Sequence, residues 1–169
     1  SVNKIICGDC IDGLKQMPKN SVDLIFADHP YNSGIQYDSY DDDKTSDEYL
    51  SWSEKWIDEC LRVLNDNGSI YVAINDDFAA EIVMMLKNKG LHLRNWIIWY
   101  YTFGQAMKNK YYRSHTHILY FVKNPKNFTF NPDDIRITSI RQIIGDKRAH
   151  PKGKLPDDVW HFNDNGNND

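Results

Sequence analysis

The sequence predicts an open α/β sheet, mostly parallel, with an antiparallel hairpin at one edge. Three observations carry that expectation. Short runs of Val, Ile, Leu and Phe alternate with helix-period segments, in the order strand, helix, strand, helix, strand. The last two long apolar runs, 91–101 and 117–122, have no helical segment between them, which implies an antiparallel pair. One apolar run, 22–27, stops abruptly at Asp28-His29-Pro30-Tyr31, as a strand does at the end where open α/β sheets hold their ligands.

Taken in order, Lys4-Ile5-Ile6-Cys7 reads as a short buried strand that turns at Gly8-Asp9. Ile11, Leu14 and Met17 suit a short helix stopped by Pro18. Residues 22–27 form the second strand, and the polar, aromatic, acidic stretch 32–43 reads as a mobile loop. Thr45 and Glu48 have capping-box spacing and open a helix. Tyr49, Trp52, Trp56, Ile57, Cys60, Leu61 and Leu64 fall near one face of it, and Asn67-Gly68 ends it. SIYVAI, 69–74, is the third strand, and 78–89 is a helix closed by Gly90. Strands over 91–101 and 117–122 follow, joined by a hairpin with an elaborated tip.

With 169 residues the chain has room for one domain with a substantial core. Hydrophobic content of 41% and charged content of 26% are those of a soluble globular protein. No apolar run approaches the roughly 18 residues that span a bilayer. The N-terminus lacks the basic-then-apolar pattern of a secretory signal, so the expected location is cytoplasmic, with no membrane partner. Three cysteines, Cys7, Cys10 and Cys60, are too few for a disulfide framework. Cys7-x-x-Cys10 lacks the second pair that a zinc site requires, and Cys7 reads as a core residue. No metal is expected.

The net charge of −4 conceals an asymmetry. Residues 1–104 carry nine Lys/Arg against seventeen Asp/Glu, whereas 105–154 carry eleven against three. A basic segment on an acidic body points to a polyanion contact. The aromatic content of 13% serves either core filling or stacking on flat ligands such as bases.

The four residues after the second strand suit one chemistry well. Pro30 fixes its own φ and holds His29 extended, giving a rigid spur with the Asp28 carboxylate, the His29 carbonyl and the Tyr31 ring. An exocyclic amino group on a base is a poor nucleophile because its lone pair is delocalised. Two acceptors gripping its N–H bonds offset the charge that develops during attack, and an aromatic ring stacks on the base. A base in a duplex must first be flipped out.

These residues resemble the Asp-Pro-Pro-Tyr signature of S-adenosylmethionine-dependent DNA amino-methyltransferases, with His29 in place of the first Pro. The resemblance extends over about 3–162: Gly8-Asp9-Cys10, NSVDLIFADHPYN, EYLSWSEKWIDECLRVLNDNGSIYV, HLRNWIIWYY, HTHILYFVK and KLPDDVW, in the order of the permuted, β-type members. It implies a Rossmann-like methyltransferase sheet and S-adenosylmethionine as cofactor. It implies that Asp28 accepts from the target amino group, that His29 acts through its backbone carbonyl beside Pro30, and that Tyr31 stacks on the flipped base. Asp9 then helps hold the adenosine part of the cofactor, with Cys10 and Asp28 bordering the pocket; taken alone, Gly8-Asp9 is equally a turn. Trp99 and His117 read as packing residues.

Duplex DNA is the implied partner, and adenine N6 the favoured target, with cytosine N4 as the alternative. Lys108, Lys110 and Arg113 in the hairpin tip are candidate phosphate contacts. Arg141, Gln142, Lys147 and Arg148 are candidates for phosphates or base edges. The expected organisation is a catalytic half over 1–123, a basic target-recognition segment over 124–160 and a disordered tail over 161–169. The family's Gly-rich cofactor loop should follow KLPDDVW, yet no two of the nine glycines are separated by a single residue. The sheet is therefore expected to be incomplete, with the cofactor half supplied by a missing segment or a second chain. Otherwise the protein is an inactive DNA-binding relative.

Overall fold

The computed structural model describes residues 3–34, 42–105 and 108–161. Its centre is a five-stranded sheet in the order β1-β2-β4-β3-β5. The strands are β1 (Val22–Asp28), β2 (Leu64–Ile74), β3 (His92–Gln105), β4 (Arg113–Val122) and β5 (Val159–His161). β1 pairs parallel with β2 and β5 parallel with β3, while β4 runs antiparallel to both of its neighbours. Four strands thus run one way and β4 opposes them. The expected hairpin is present, but it is not the outermost element, because β5 adds a short strand outside β3.

Three helices, α1 (Cys10–Lys15), α2 (Ser46–Val63) and α3 (Ala79–Asn88), carry the main core. Alternate residues of the central strands face them. Ile70, Val72 and Ile74 of β2 and Leu119 and Phe121 of β4 pack with Tyr49, Trp56, Ile57, Ile82 and Leu86. The intervening residues turn the other way. Ile97, Ile118, Tyr120 and Val122 form a second cluster, covered by Phe128 and Trp160 from the basic segment. There Tyr71 and Tyr120 stack with ring centroids 4.4 Å apart. The segment after β4 therefore lies on the sheet face opposite the helices. Covered on both faces, 70–74 of β2 reads as an unbroken apolar run.

The α2 start has the expected capping box, with the Thr45 hydroxyl accepting from Glu48 N and the Glu48 carboxylate accepting from Thr45 N. Its end is earlier than Asn67-Gly68 suggests. The helix stops at Val63, and 65–68 bulge out of β2 between the pairs Val22↔Leu64 and Leu24↔Ser69. A Cβ on Gly68 would lie 2.7 Å from Leu64 Cδ1 and 3.0 Å from the Asp23 carbonyl oxygen. Glycine at 68 permits this backbone approach rather than ending a helix.

The expected strand over Lys4–Cys7 is absent. Ile5 and Ile6 are exposed, Cys7 is exposed rather than in the core, and no described strand pairs with the outer edge of β1. A strand needs a partner ladder, and the apolar run alone cannot supply one. Leu24 and Phe26 on β1 are more than half exposed.

Within the basic segment a 3₁₀ turn (Pro132–Asp134) and a single helical turn, α4 (Ile140–Ile143), flank a bridge between Ile137 and Lys154. That bridge carries two backbone hydrogen bonds, Ile137 N to Lys154 O and Lys154 N to Ile137 O, each 2.9 Å. Gly153 makes it possible, with φ +92 and a Cα packed onto the Ile137 carbonyl. A methyl there overlaps the carbonyl oxygen and lies 2.9 Å from its carbon. Gly153→Ala is expected to destabilise this bridge by about 1–3 kcal/mol through strain alone. Limited proteolysis should show faster cleavage within 137–154, and an unchanged cleavage pattern would contradict the account. His161, placed by the sequence in the tail, ends β5, and 162–169 lie outside the described residues.

Candidate active site

Asp28 is the last residue of β1, at the carboxyl end of the sheet, level with Ala73 on β2. Its exposed carboxylate is where the sequence places it. The chain then leaves the sheet as a spur whose three following residues are each fixed by a different neighbour. Tyr31 Oη donates to Asp28 Oδ1 at 2.6 Å, within the range of a charge-assisted hydrogen bond. Tyr49, wholly buried in the first turn of α2, donates from Oη to the Pro30 carbonyl at 2.9 Å. The His29 ring packs inward on α2, 4.6 Å from Trp56 and about 6 Å from Trp52, Tyr49 and Tyr31.

The far end is closed as firmly. Asn32 sits at φ 57, a left-handed conformation that Asn tolerates. Its side-chain amide donates to Lys44 O and accepts from Lys44 N, both at 2.8 Å. The Asp42 carboxylate accepts from Asn32 N and Ser33 N, both at 2.9 Å. Asp42 is 3% exposed. The two ends of the stretch read as a mobile loop are thus tied to each other; 35–41 lie outside the described residues.

The electrostatics follow from this packing. Burial and the Asp28 carboxylate push the Tyr31 phenol well above its ordinary range, so it remains a donor. Burial lowers His29 to about 4, opposed by Asp28. Neither ring nitrogen of His29 has a hydrogen-bond partner among the described residues. The His29 ring is therefore a neutral packing element.

The unfolded chain protonates His29 near its ordinary 6.5 and the folded chain only near 4. Its contribution is constant above that window and is lost as pH falls from about 6.5 to 4. Between pH 7 and 5 the loss should be about 1–2 kcal/mol. His29→Pro, which restores the family residue, should flatten that part of the pH profile in urea melts. A variant as acid-sensitive as the parent would refute the assignment.

Asp9 is the N-cap of α1: its Oδ1 accepts from Ile11 N at 2.9 Å and from Asp12 N at 3.0 Å. Cys10 opens the helix and is exposed, and burial of its sulfur together with the Asp9 charge raises the thiol. The turn at Gly8-Asp9 is thus present, with Oδ1 of Asp9 as the helix cap.

The DNA-contact candidates divide. Lys108 and Lys110 are exposed beside the hairpin tip, and Arg141 and Lys147 are exposed on and after α4, all without an ion pair to a described residue. Arg113 is instead held by Asp76 at 2.6 Å and Asp77 at 3.1 Å, which anchor the hairpin to the end of β2. Gln142 is used internally: its Oε1 accepts from Ser139 N at 2.9 Å and its amide donates to Pro151 O at 3.0 Å. It serves a second capping box rather than a base edge. Arg148 pairs with Asp146 at 2.8 Å, an exposed contact that phosphate could replace at small cost. Tyr49, Asn32 and Asp42 were missed as spur supports. Asn-x-Gly and Asp-rich stretches signal turns, but nothing local signals a contact across 19 residues from Tyr49 to Pro30. Trp99 is 40% exposed, and His117 accepts from Trp96 Nε1 at 2.8 Å.

An acidic, aromatic spur at the carboxyl end of an open sheet with one reversed strand defines a class: Rossmann-like proteins of methyltransferase type. Comparison with known proteins narrows it. The family model described as DNA methylase matches residues 22–169, and the chain belongs to that family. It is 38% identical over 160 residues to the type II methyltransferase M.HpaI of Haemophilus parainfluenzae, covering 94% of this chain and 50% of that protein. It is 35% identical over 167 residues to the DNA adenine methyltransferase YhdJ of Escherichia coli (strain K12), covering 94% and 56%. The chain spans about half the length of these relatives. In fold it resembles the cytosine-N4-specific PvuII DNA methyltransferase, with a TM-score of 0.58 at 15% identity over 88% of this chain and 64% of that one. It also resembles a DNA modification methylase of Thermus thermophilus solved with S-adenosyl-L-methionine, with a TM-score of 0.54 at 20% identity over 76% and 56%.

Proposed function

We propose that the protein carrying this chain is a site-specific DNA methyltransferase that modifies the exocyclic amino group of a base flipped out of duplex DNA. The observation that carries this reading is the Asp28–Tyr31 spur, a carboxylate and an aromatic ring held together at 2.6 Å on the carboxyl edge of the sheet. Family membership supports it. S-adenosylmethionine, when bound, supplies an activated methyl group. Of this chain's residues, Asp9 has its second carboxylate oxygen for the adenosine part, with Cys10 and Asp28 beside it. A Gly-rich loop from a further segment or a second chain completes that pocket. The half-length match to the relatives supports such a division of the cofactor site; within this chain we assign 1–123 to the catalytic half and 124–160 to target recognition.

The work of the spur is binding and polarisation. The Asp28 carboxylate accepts one N–H of the target amino group, and the His29 carbonyl, which accepts from no described residue, takes the other. Together they favour a pyramidal nitrogen and offset the positive charge that grows on it as its new bond forms. The incoming N–H competes with or joins the Tyr31 hydroxyl at Asp28. The Tyr31 ring stacks on the extruded base, returning roughly 1–3 kcal/mol of the unstacking cost.

Adenine N6 is the favoured target, on the Asp-led signature and the 35% identity to a DNA adenine methyltransferase. Cytosine N4 is the second reading, on the likeness to an N4-specific fold. A paired nuclease, as in restriction-modification, fits the type II relatives. No helix among the described residues is long and apolar enough to cross a membrane; a cytoplasmic location fits a DNA substrate.

The test is methyl transfer from tritium-labelled S-adenosylmethionine to mixed-sequence DNA by the natural full-length protein, followed by digestion to nucleosides. Label is expected in N6-methyladenine. Label in N4-methylcytosine would select the second reading, and no label in any base would overturn the activity.

A further inference from the structure

The β3–β4 hairpin reaches well past the spur. The β2–β4 ladder ends at Ile74↔His117, whereas β4 begins at Arg113. Those four further residues carry the arm about 13 Å beyond the sheet at about 3.3 Å per residue. It projects from the same edge as Asp28, whose neighbour Ala73 pairs with Ile118. It is held along its length rather than free. Arg113 is clamped by Asp76 and Asp77, and Tyr101 Oη donates to His115 O at 3.1 Å. The arm and the spur therefore leave the same edge of the sheet, with β2 between their strands.

At the end of this anchored arm stands an aromatic ring in water. Tyr111 is 98% exposed and Tyr112 64% exposed, between exposed Lys108 and Lys110 on one side and clamped Arg113 on the other. A large flat ring held off the protein and flanked by cations has the two properties that a DNA duplex rewards. Its face stacks on any base, and the ammonium groups meet phosphates. Removing a base from a duplex leaves a gap between two stacked pairs, which an inserted side chain can fill.

We infer that residues 108–112 enter duplex DNA as a wedge, with Tyr111 stacking in the gap left by the extruded base and Lys108 and Lys110 on the flanking phosphates. This rests on the base-flipping reading of the spur. The wedge and the spur then act on one nucleotide from two sides. Tyr111 stabilises the vacated stack, and Tyr31 stabilises the base outside it.

The wedge is tested by binding, without methyl transfer. Two fluorescein-labelled duplexes of the same sequence are compared by anisotropy at fixed salt, one intact and one with a single abasic site. The natural full-length protein should prefer the abasic duplex by about 10-fold, the scale of one stacking contact. Tyr111→Ala should bring the preference close to unity, and Tyr111→Phe should keep it. The double variant Lys108→Ala/Lys110→Ala should weaken both duplexes alike and leave the preference. A full preference in Tyr111→Ala, an equal loss on both duplexes in that variant, or no preference in the parent would each overturn the wedge. A parent that prefers the abasic duplex yet labels no base would end the methyl-transfer reading and leave the wedge standing.

Discussion

Asp28→Ala is expected to lower kcat for methyl transfer by about 10²–10³-fold or more, the usual cost of removing one preorganised group from a reaction centre. The fold should survive, because the carboxylate is exposed and ends a strand rather than filling a core. KM for DNA should change far less, since the acceptor matters most as charge develops on the nitrogen. Asp28→Asn, which keeps an acceptor oxygen without its charge, should fall between the two. Tyr31→Phe removes the hydroxyl that donates to Asp28 at 2.6 Å but keeps the ring. Its loss should be smaller than that of Tyr31→Ala, because stacking survives. The measurement is single-turnover transfer with saturating DNA. A full rate in Asp28→Ala would mean that the spur does not touch the reacting nitrogen.

Phe121→Ala is expected to cost about 3–5 kcal/mol of folding stability. Phe121 is wholly buried, on the reversed strand between β2 and β3, and it packs in the cluster shared with α2 and α3. The cavity cannot close easily, because Ile70 and Leu93, its ladder partners, are held by neighbouring strands. Such a loss is a large part of the about 5–15 kcal/mol of a typical domain. Urea denaturation monitored by tryptophan fluorescence would show it as a lower midpoint with an unchanged slope. A shift of under about 1 kcal/mol would mean that the site collapses around the smaller side chain.

The sequence was most legible where chemistry is local. The Thr45–Glu48 box, the SIYVAI strand, Gly90 after α3 and the spur itself all declare themselves within a few residues. Reading failed where one local pattern serves two ends. Asn67-Gly68 is a helix stop by composition, but the helix had already ended, and Gly68 instead lets β2 pass close to Asp23. Ile5-Ile6 has the apolarity of a strand but no ladder to join. The polar residues 113–116 hid the outer half of β4, since a strand flanked by β3 alone has no need of alternation. Charge was the weakest guide. The basic segment looks like one polyanion surface, yet Arg113, Arg136, Lys152 and Lys154 are committed to nearby carboxylates. Within the candidate site, Asp28 and Tyr31 were legible and their supports were not. Tyr49 and Asp42 act through the chain's return to the spur, which no spacing encodes.

The ladder that stops at Ile74↔His117 also divides the sheet in time. Inward of that row, β4 is hydrogen-bonded on both sides, and its amides can open only with the whole domain. Outward of it β4 is laddered to β3 alone, and its ion-pair tie toward β2 among the described residues is that of Arg113 with Asp76 and Asp77, so opening there costs less than opening the inner rows. The spur sits on the slow side of this boundary and the arm on the fast side. A protein built this way can take hold of a partner and let it go many times without disturbing the geometry of Asp28, because the rows that open first lie outside the frame that holds the carboxylate.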